Sequence, residues 1–181
     1  METIYYTNFK VLTGNFWIAL TDEGIIQASI HSTEEQFMKD LKRRVKGIYV
    51  HAPQKFTNLQ AQLTAYFKGK LQTFNFKLDL RGTEFQKAIW HEIHKIPFGR
   101  LISYGGLARA VGRPKAVRAA GNATGANPIG LIIPCHRVIG SDGGLGGFGG
   151  GIPLKRKLLE NEGILGKDRD ESKKALKEFL I

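Results

Sequence analysis

One cysteine in 181 residues cannot brace the fold with an internal disulfide, and it rules out a zinc site built from cysteines. No apolar run approaches the roughly 18 residues that a membrane-spanning helix needs, so no span is expected. The first ten residues, METIYYTNFK, contain an acid and no long apolar stretch, and do not read as a secretory signal. A lone thiol fits a reducing compartment, so the expected location is the cytoplasm, or the nucleus if the source is eukaryotic. Acidic residues are scarce in one segment only. Residues 1–80 carry ten Lys/Arg against seven Asp/Glu, residues 81–157 twelve against three, and residues 158–181 five against six. Most of the +11 net charge therefore sits in the middle segment. Such a concentration suits a partner with a phosphate backbone. Solubility charge, or attraction to an anionic membrane, is the plainer alternative, but solubility alone would spread the excess more evenly.

What is present reads as two patterns in succession. Ile4, Tyr5, Tyr6, Phe9, Val11, Phe16, Trp17 and Ile18 alternate among β-formers, with turn signals at Thr13-Gly14-Asn15 and Asp22-Glu23-Gly24. Three antiparallel strands ending near Ile30 follow from this. Ser32, Glu34 and Glu35 open a helix with Phe37, Leu41 and Val45 on one face and Lys42, Arg43 and Arg44 in solvent. Asn58 starts a second helix, with Leu59, Leu63 and Phe67, stopped by Gly69. Phe74, Phe76, Leu78 and Leu80 alternate as a fourth strand. The expected fold class is thus an α/β N-terminal domain at 1–80, joined at Arg81-Gly82 to a mainly α domain at 81–165, with a charged C-terminal tail at 166–181. In that tail Leu176, Phe179 and Leu180 suit a short amphipathic helix.

In the second pattern Thr83 can cap a helix bearing Phe85, Ile89, Trp90 and Ile93, ended by Pro97-Phe98-Gly99. Ser103 caps a short helix through Leu107, Ala108 and Val111. After Gly112-Arg113-Pro114 another helix runs from about Lys115 to Ala123. Two short basic helices around a tight turn suggest a helix-turn-helix. Ala116, Ala119, Ala120, Gly121 and Ala123 make the second helix nearly all small, though it carries Arg118. Few side chains remain to read base edges, so contact without much sequence preference is expected. A small-residue helix packed into a core is the competing reading.

Cys135 follows the apolar run Leu131-Ile132-Ile133-Pro134 and precedes His136 and Arg137. A thiol becomes a nucleophile as its thiolate, with help from a base or cation. In an extended strand the side chains of Cys135 and His136 would point to opposite faces, so direct contact does not follow from adjacency, and a bridging water is one route between them. Taken alone, a lone cysteine is more often an inert small hydrophobe.

Pro134-Cys135-His136-Arg137-Val138, preceded by Gly125-Ala126-Asn127-Pro128 and followed by Lys157-Leu158-Leu159-Glu160-Asn161-Glu162-Gly163, resembles the O6-alkylguanine-DNA alkyltransferases. Gly82-Thr83-Glu84-Phe85-Gln86 through Ile102-Ser103-Tyr104-Gly105 resembles the start of the same family's C-terminal domain. Residues 82–163 carry this resemblance densely, and the first eighty residues only by layout. It implies a ribonuclease-H-like N-terminal domain and a winged helix-turn-helix C-terminal domain. It also implies direct-reversal repair of double-stranded DNA, in which an alkyl group passes irreversibly from O6-alkylguanine, and from O4-alkylthymine, to Cys135 without turnover. The damaged nucleotide would be flipped out of the stack.

The resemblance further implies that His136, through water, takes the thiol proton, that Glu162 orients His136, and that Asn127 links the recognition helix to the active-site strand. Tyr104 would rotate the target phosphate and protonate the leaving guanine, and Arg118 would fill the vacated stack. Ala119 and Gly121 would lie against DNA. Val138 and Cys135 would offer carbonyls to the guanine amino group, with Tyr104, Phe148 and Gly149 lining the substrate pocket. No metal or small-molecule cofactor is implied, and a monomer is expected, with cooperative binding along DNA open. The chain departs from the family where Phe148 replaces a frequent Tyr, Gly149 replaces a Ser of some members, and Gly130 replaces a frequent Pro. A roomier pocket for bulkier lesions follows as an expectation.

Other readings weigh less. Gly144-Leu145-Gly146-Gly147-Phe148-Gly149 matches G-x-G-x-x-G, yet no second parallel strand follows it. His91 and His94 lack a third ligand. A helix-turn-helix regulator would need base-reading side chains on the second helix. A lesion-binding protein without repair activity would not need Cys135, and a thiol hydrolase would need an oxyanion hole that no motif announces.

Overall fold

The alternating β-formers at the start of the chain build a meander of β1 (Glu2–Val11), β2 (Gly14–Thr21) and β3 (Gly24–Ile30), as the sequence predicts. Gly14 and Asn15, expected in the first turn, already pair with Val11 and Lys10, and Thr13 lies outside the described residues. This arrangement is seen in a computed structural model that describes residues 1–11, 14–30, 32–166 and 172–181. Helix α1 (Glu34–Arg44) is capped by Thr33, whose hydroxyl accepts the Gln36 N–H, and not by Ser32. The cap has moved by one residue because Thr33 stands three residues before Gln36, the spacing the bond requires. Lys42 and Arg43 are exposed as expected, whereas Arg44 is half-buried.

Strand β4 (Gly47–His51) then returns parallel to β1, giving the sheet order β3-β2-β1-β4. Sequence reasoning missed it, because a five-residue parallel strand has no hairpin turn to announce it. Ile4, Trp17, Ala19 and Ile26 bury one face of the sheet under Phe37, Leu41 and Val45, with the Trp17 and Phe37 rings stacked at 5.6 Å. Phe9 meets Phe56 edge-on, in the 3₁₀ turn Pro53–Phe56 that leads into α2 (Thr57–Phe67). Because β2 is a central strand, Phe16 through Ala19 are all buried.

The fourth strand expected at Phe74–Leu80 does not form. On the β3 edge Ile25 bonds this segment, its N–H donating to Lys77 O and its carbonyl accepting from Asp79 N. Three residues along the same edge, the Ala28 N–H donates to Pro128 O and the Gly130 N–H to Ala28 O. Two chain segments share the open edge of β3, so neither runs a ladder along it. Contacts accordingly divide the chain into one unit of Met1–Arg81 with Pro128–Ile132, and a second of Gly82–Asn127 with Ile133–Ile181. Within the first unit Arg81 bridges Glu2 and Asp79, and Asp79 also accepts from Thr21.

The second unit begins with α3 (Glu84–His94), closed by a capping box between Thr83 and Gln86. The Trp90 indole N–H donates to Ala123 O, which fixes α3 against the later helices. Next come β5 (Ile102–Ser103) and α4 (Tyr104–Ala110), the latter capped by Ser103. Helix α5 covers Val117–Gly125, two residues later than expected, because the turn begun by Gly112, at φ +70°, continues through Ala116. Strand β6 (Val138–Ile139) pairs parallel with β5, Ile102 to Val138 and Ser103 to Ile139. Helix α6 (Ile152–Asn161) follows. In the tail, α7 (Lys173–Leu176) and a 3₁₀ turn, Lys177–Phe179, pack Leu176 beside Leu101, Ile139 and Leu159, while residues 167–171 of the expected tail lie outside the described residues. No described helix is long and apolar enough to cross a membrane.

Candidate active site

Cys135 does not sit in an extended strand. Cys135–Arg137 form a 3₁₀ turn, in which the Arg137 N–H donates to Pro134 O and the Val138 N–H to Cys135 O. Pro134 removes one donor and fixes φ just before the turn, which favours this tight geometry over a ladder. The parallel pairing of β5 with β6 then sets the turn in the same unit as the N-terminus of α4, where Tyr104 begins the helix.

Cys135 is half-buried, and burial pushes its thiol pKa above the ordinary value. A hydrogen bond from the Asn127 side chain and the charge of Lys155 pull the other way, towards the thiolate. Asn127 also donates from Nδ2 to Ile133 O at 2.8 Å, which ties the residue after α5 to the chain entering the turn. His136 is completely buried, and its imidazole is held below its usual pKa. Burial is the main cause. The Glu162 contact opposes it, and the charges of Arg137 and Lys155 reinforce it. Burial by itself would raise the Glu162 carboxyl, but hydrogen bonds and charges from His136 and Arg137 outweigh it and hold the group at about 2.

Glu162 is thus an anion and can only accept. The 2.7 Å contact with His136 Nε2 therefore places a proton on Nε2. Nδ1 is left as the basic nitrogen, buried and without a hydrogen-bond partner among the described residues. Here is a neutral base beside a neutral thiol, with its free lone pair unspent.

Tyr104 is half-buried, and its phenol is pushed above the ordinary value by burial and then by Cys135. A Cβ on Gly121 would lie 3.7 Å from the Tyr104 ring, and a Cβ on Gly146 would lie 2.8 Å from its hydroxyl. Tyr104 is therefore wedged between α5 and the glycine-rich loop, and Gly146, at φ +68°, is required twice over. On α5, Ala120, Ala123 and Thr124 turn inward, while Arg118 and Ala119 are exposed. Phe148 is half-buried, and Gly149 is exposed with open space where a Cβ would be. The carbonyls of Cys135 and Val138 are already engaged, by the Val138 N–H and by Lys155 Nζ, so each has only a second lone pair left to offer.

Two residues escaped sequence reasoning. Lys155 is fully buried, and its ammonium donates to Val138 O and Leu145 O, closing the loop between them. Burial lowers it to about 8, against the opposing pull of Cys135. In the basic run Lys155-Arg156-Lys157 it reads as surface charge; only its place one turn before Leu158 and Leu159 on the apolar side of α6 hints otherwise. Arg137 is buried as well, its guanidinium on Glu162. His91, considered above as half of a metal pair, is exposed on α3.

The profile described as 6-O-methylguanine DNA methyltransferase, ribonuclease-like domain, matches residues 4–80, and that of the DNA-binding domain of the same methyltransferase matches residues 84–164. The methylated-DNA–protein-cysteine methyltransferase of Methanosarcina acetivorans is 40% identical over 161 residues, covering 88% of this chain and 99% of that protein. The inducible enzyme of the same name from Bacillus subtilis is 36% identical, covering 88% and 90%. The structure of Mycobacterium tuberculosis OGT in complex with DNA superposes with a TM-score of 0.77 at 36% identity, over 95% of this chain and 98% of that one. With both domain profiles matched in order and relatives aligned over nearly their whole length, the chain belongs to the methylated-DNA–protein-cysteine methyltransferase family and has its two-domain architecture, a ribonuclease-like domain followed by a DNA-binding domain.

Proposed function

We propose that this protein repairs alkylated double-stranded DNA by moving the alkyl group of O6-alkylguanine onto Cys135, one group per protein molecule. The observation that carries the reading is a half-buried thiol followed by a buried imidazole whose Nδ1 has no partner among the described residues and whose Nε2–H is fixed on Glu162. The Cys135 proton passes to His136 Nδ1 through a water within reach of both. The sulfur attacks the alkyl carbon in line, the carbon–O6 bond breaks, and its electron pair remains on the guanine. Tyr104 supplies the proton that neutralises the departing base. The product is a thioether, which water does not cleave, so the protein is spent.

Exposed Arg118 and Ala119 on α5 meet the duplex, and Arg118 takes the place of the flipped nucleotide. The basic character of residues 81–157 supplies the phosphate attraction. O4-alkylthymine, which presents the same alkyl–oxygen bond, is a second substrate. The protein acts as a monomer, in the cytoplasm, without metal or cofactor.

The test is intact mass after mixing with a duplex containing O6-methylguanine. A gain of one methylene mapped to Cys135, saturating at one per chain, is expected. Lesion-specific binding with no mass gain would instead make this a lesion-binding protein.

A further inference from the structure

Arg137 is buried, immediately follows His136, and is not used by the reaction above. Its Nε donates to Glu162 Oε1 at 3.1 Å and Oε2 at 2.9 Å, and its Nη2 to Oε1 at 2.8 Å. Nη1 is anchored on Ile96 O, in the turn after α3, and the Phe98 ring lies 5.8 Å from the guanidinium carbon. Glu162, at the C-terminus of α6, also accepts the Gly99 N–H on Oε2 and His136 Nε2–H on Oε1. Both carboxylate oxygens therefore accept from Arg137 and from a second group, His136 on Oε1 and Gly99 on Oε2. This is more than a triad's third member needs to orient an imidazole.

We propose that Arg137 is a positioning residue for the transfer: by occupying Glu162 it keeps His136 a neutral base with Nδ1 free, and so keeps Cys135 a thiol until an alkylated base is in place. The inference deepens the alkyl-transfer reading and rests on it. A buried His–Glu pair alone would favour an imidazolium, and an imidazolium beside a thiol favours a standing thiolate. Three charged groups act on His136 here, Glu162 at the C-cap of α6, Lys155 from α6 and Arg137 from its own turn, and Cys135 is its neighbour in the chain. Glu162 alone draws a proton onto the ring, while Arg137 and Lys155 oppose it and the ring's burial adds to them. With Arg137 present the Glu162 charge is largely spoken for. When the thiol proton does reach Nδ1, the ring keeps its Nε2 proton as well, because a carboxylate clamped by Arg137 is a poor acceptor. A thiol used once gains from this arrangement, since a standing thiolate would be consumed by any small electrophile.

The experiment compares wild-type protein with Arg137→Gln and Arg137→Lys. Cys135 is trapped with iodoacetamide across pH, read by mass, and the His136 ring nitrogens are followed by NMR. In the wild type, Nε2 carries the proton and Nδ1 does not through neutral pH. In Arg137→Gln the imidazole titration moves up by about one unit or more. Trapping at neutral pH then rises several-fold along the same titration. Arg137→Lys, which keeps the charge but not the fork, stays close to the wild type. A purely structural role for Arg137 would change trapping at every pH without moving the imidazole titration, and that result would overturn the proposal. If Arg137→Gln does not fold, a wild-type His136 ring found charged at neutral pH overturns it equally. Absence of alkyl transfer in the wild type would remove the proposed function, while the ring titration would still decide the role of Arg137.

Discussion

A buried ammonium held by two carbonyls shows how much one residue can carry. Lys155 closes the loop from Val138 to Leu145, and its charge favours the Cys135 thiolate. Lys155→Met keeps the stem and strands two carbonyls, so a loss of about 1–3 kcal/mol in urea unfolding is expected. The same variant should react more slowly at Cys135 below about pH 8, where the wild-type lysine is charged. Above that value the wild type loses its own charge and the two rates should converge, which a pH series of transfer rates would show. The pocket invites a second substitution. Phe148 offers no hydroxyl and Gly149 no side chain, so a benzyl lesion should fare better relative to a methyl one here than in Phe148→Tyr. A benzyl-to-methyl rate ratio no higher than the variant's would remove Phe148 from the account.

At this scale the sequence was informative where chemistry is local. Cys135, His136 and Glu162 stand out through their neighbours in the chain, and the structure brings them into one unit. Arg137 and Lys155 did not stand out, because their importance lies in burial, and burial of a cation is not written in a run of basic residues.

Among elements, capping chemistry was the most legible feature. Thr83 and Ser103 start α3 and α4 where their side chains predict. Elements defined by a distant partner were not legible: β4 depends on β1, and the segment at 74–80 fails as a strand because β3 has a second claimant at its edge. The C-terminal segment adds an element whose role is testable. Leu176 is buried among Leu101, Ile139 and Leu159, and the backbone at Lys173 lies so close to Gly143 that an added Cβ would collide with it. Leu176→Ala should cost about 2–5 kcal/mol. Gly143→Ala should also destabilise, being strained at φ +88° as well as crowded. Thermal melts of both would check this, and an unshifted melt for either would mean that residues 172–181 rest on the fold without supporting it.

For the molecule as a whole, charge is the dominant physical signal. Duplex affinity should fall steeply with salt, with log K decreasing by about 0.9 per decade of salt for each phosphate contacted. Arg118→Gln should weaken binding, measured by fluorescence anisotropy of a labelled duplex, and flatten that slope if Arg118 also neutralises a phosphate. An affinity indifferent to salt would contradict the reading of residues 81–157 as a phosphate-facing segment.

The return of residues 128–132 to the first unit has a consequence for how the chain is made. During synthesis the N-terminal sheet leaves the ribosome early, yet the Ala28 end of its β3 edge stays unpaired until Pro128 and Gly130 have emerged. By then the residues of α3, α4 and α5 have emerged too, and along the chain Cys135 follows Gly130 by only a few residues. The last backbone bonds of the first unit and the arrival of the nucleophile are nearly the same event in time. A ribosome stalled before residues 128–130 have cleared its exit tunnel would hold a nascent sheet with an open edge, and one stalled after they have cleared it would hold a sheet that is sealed.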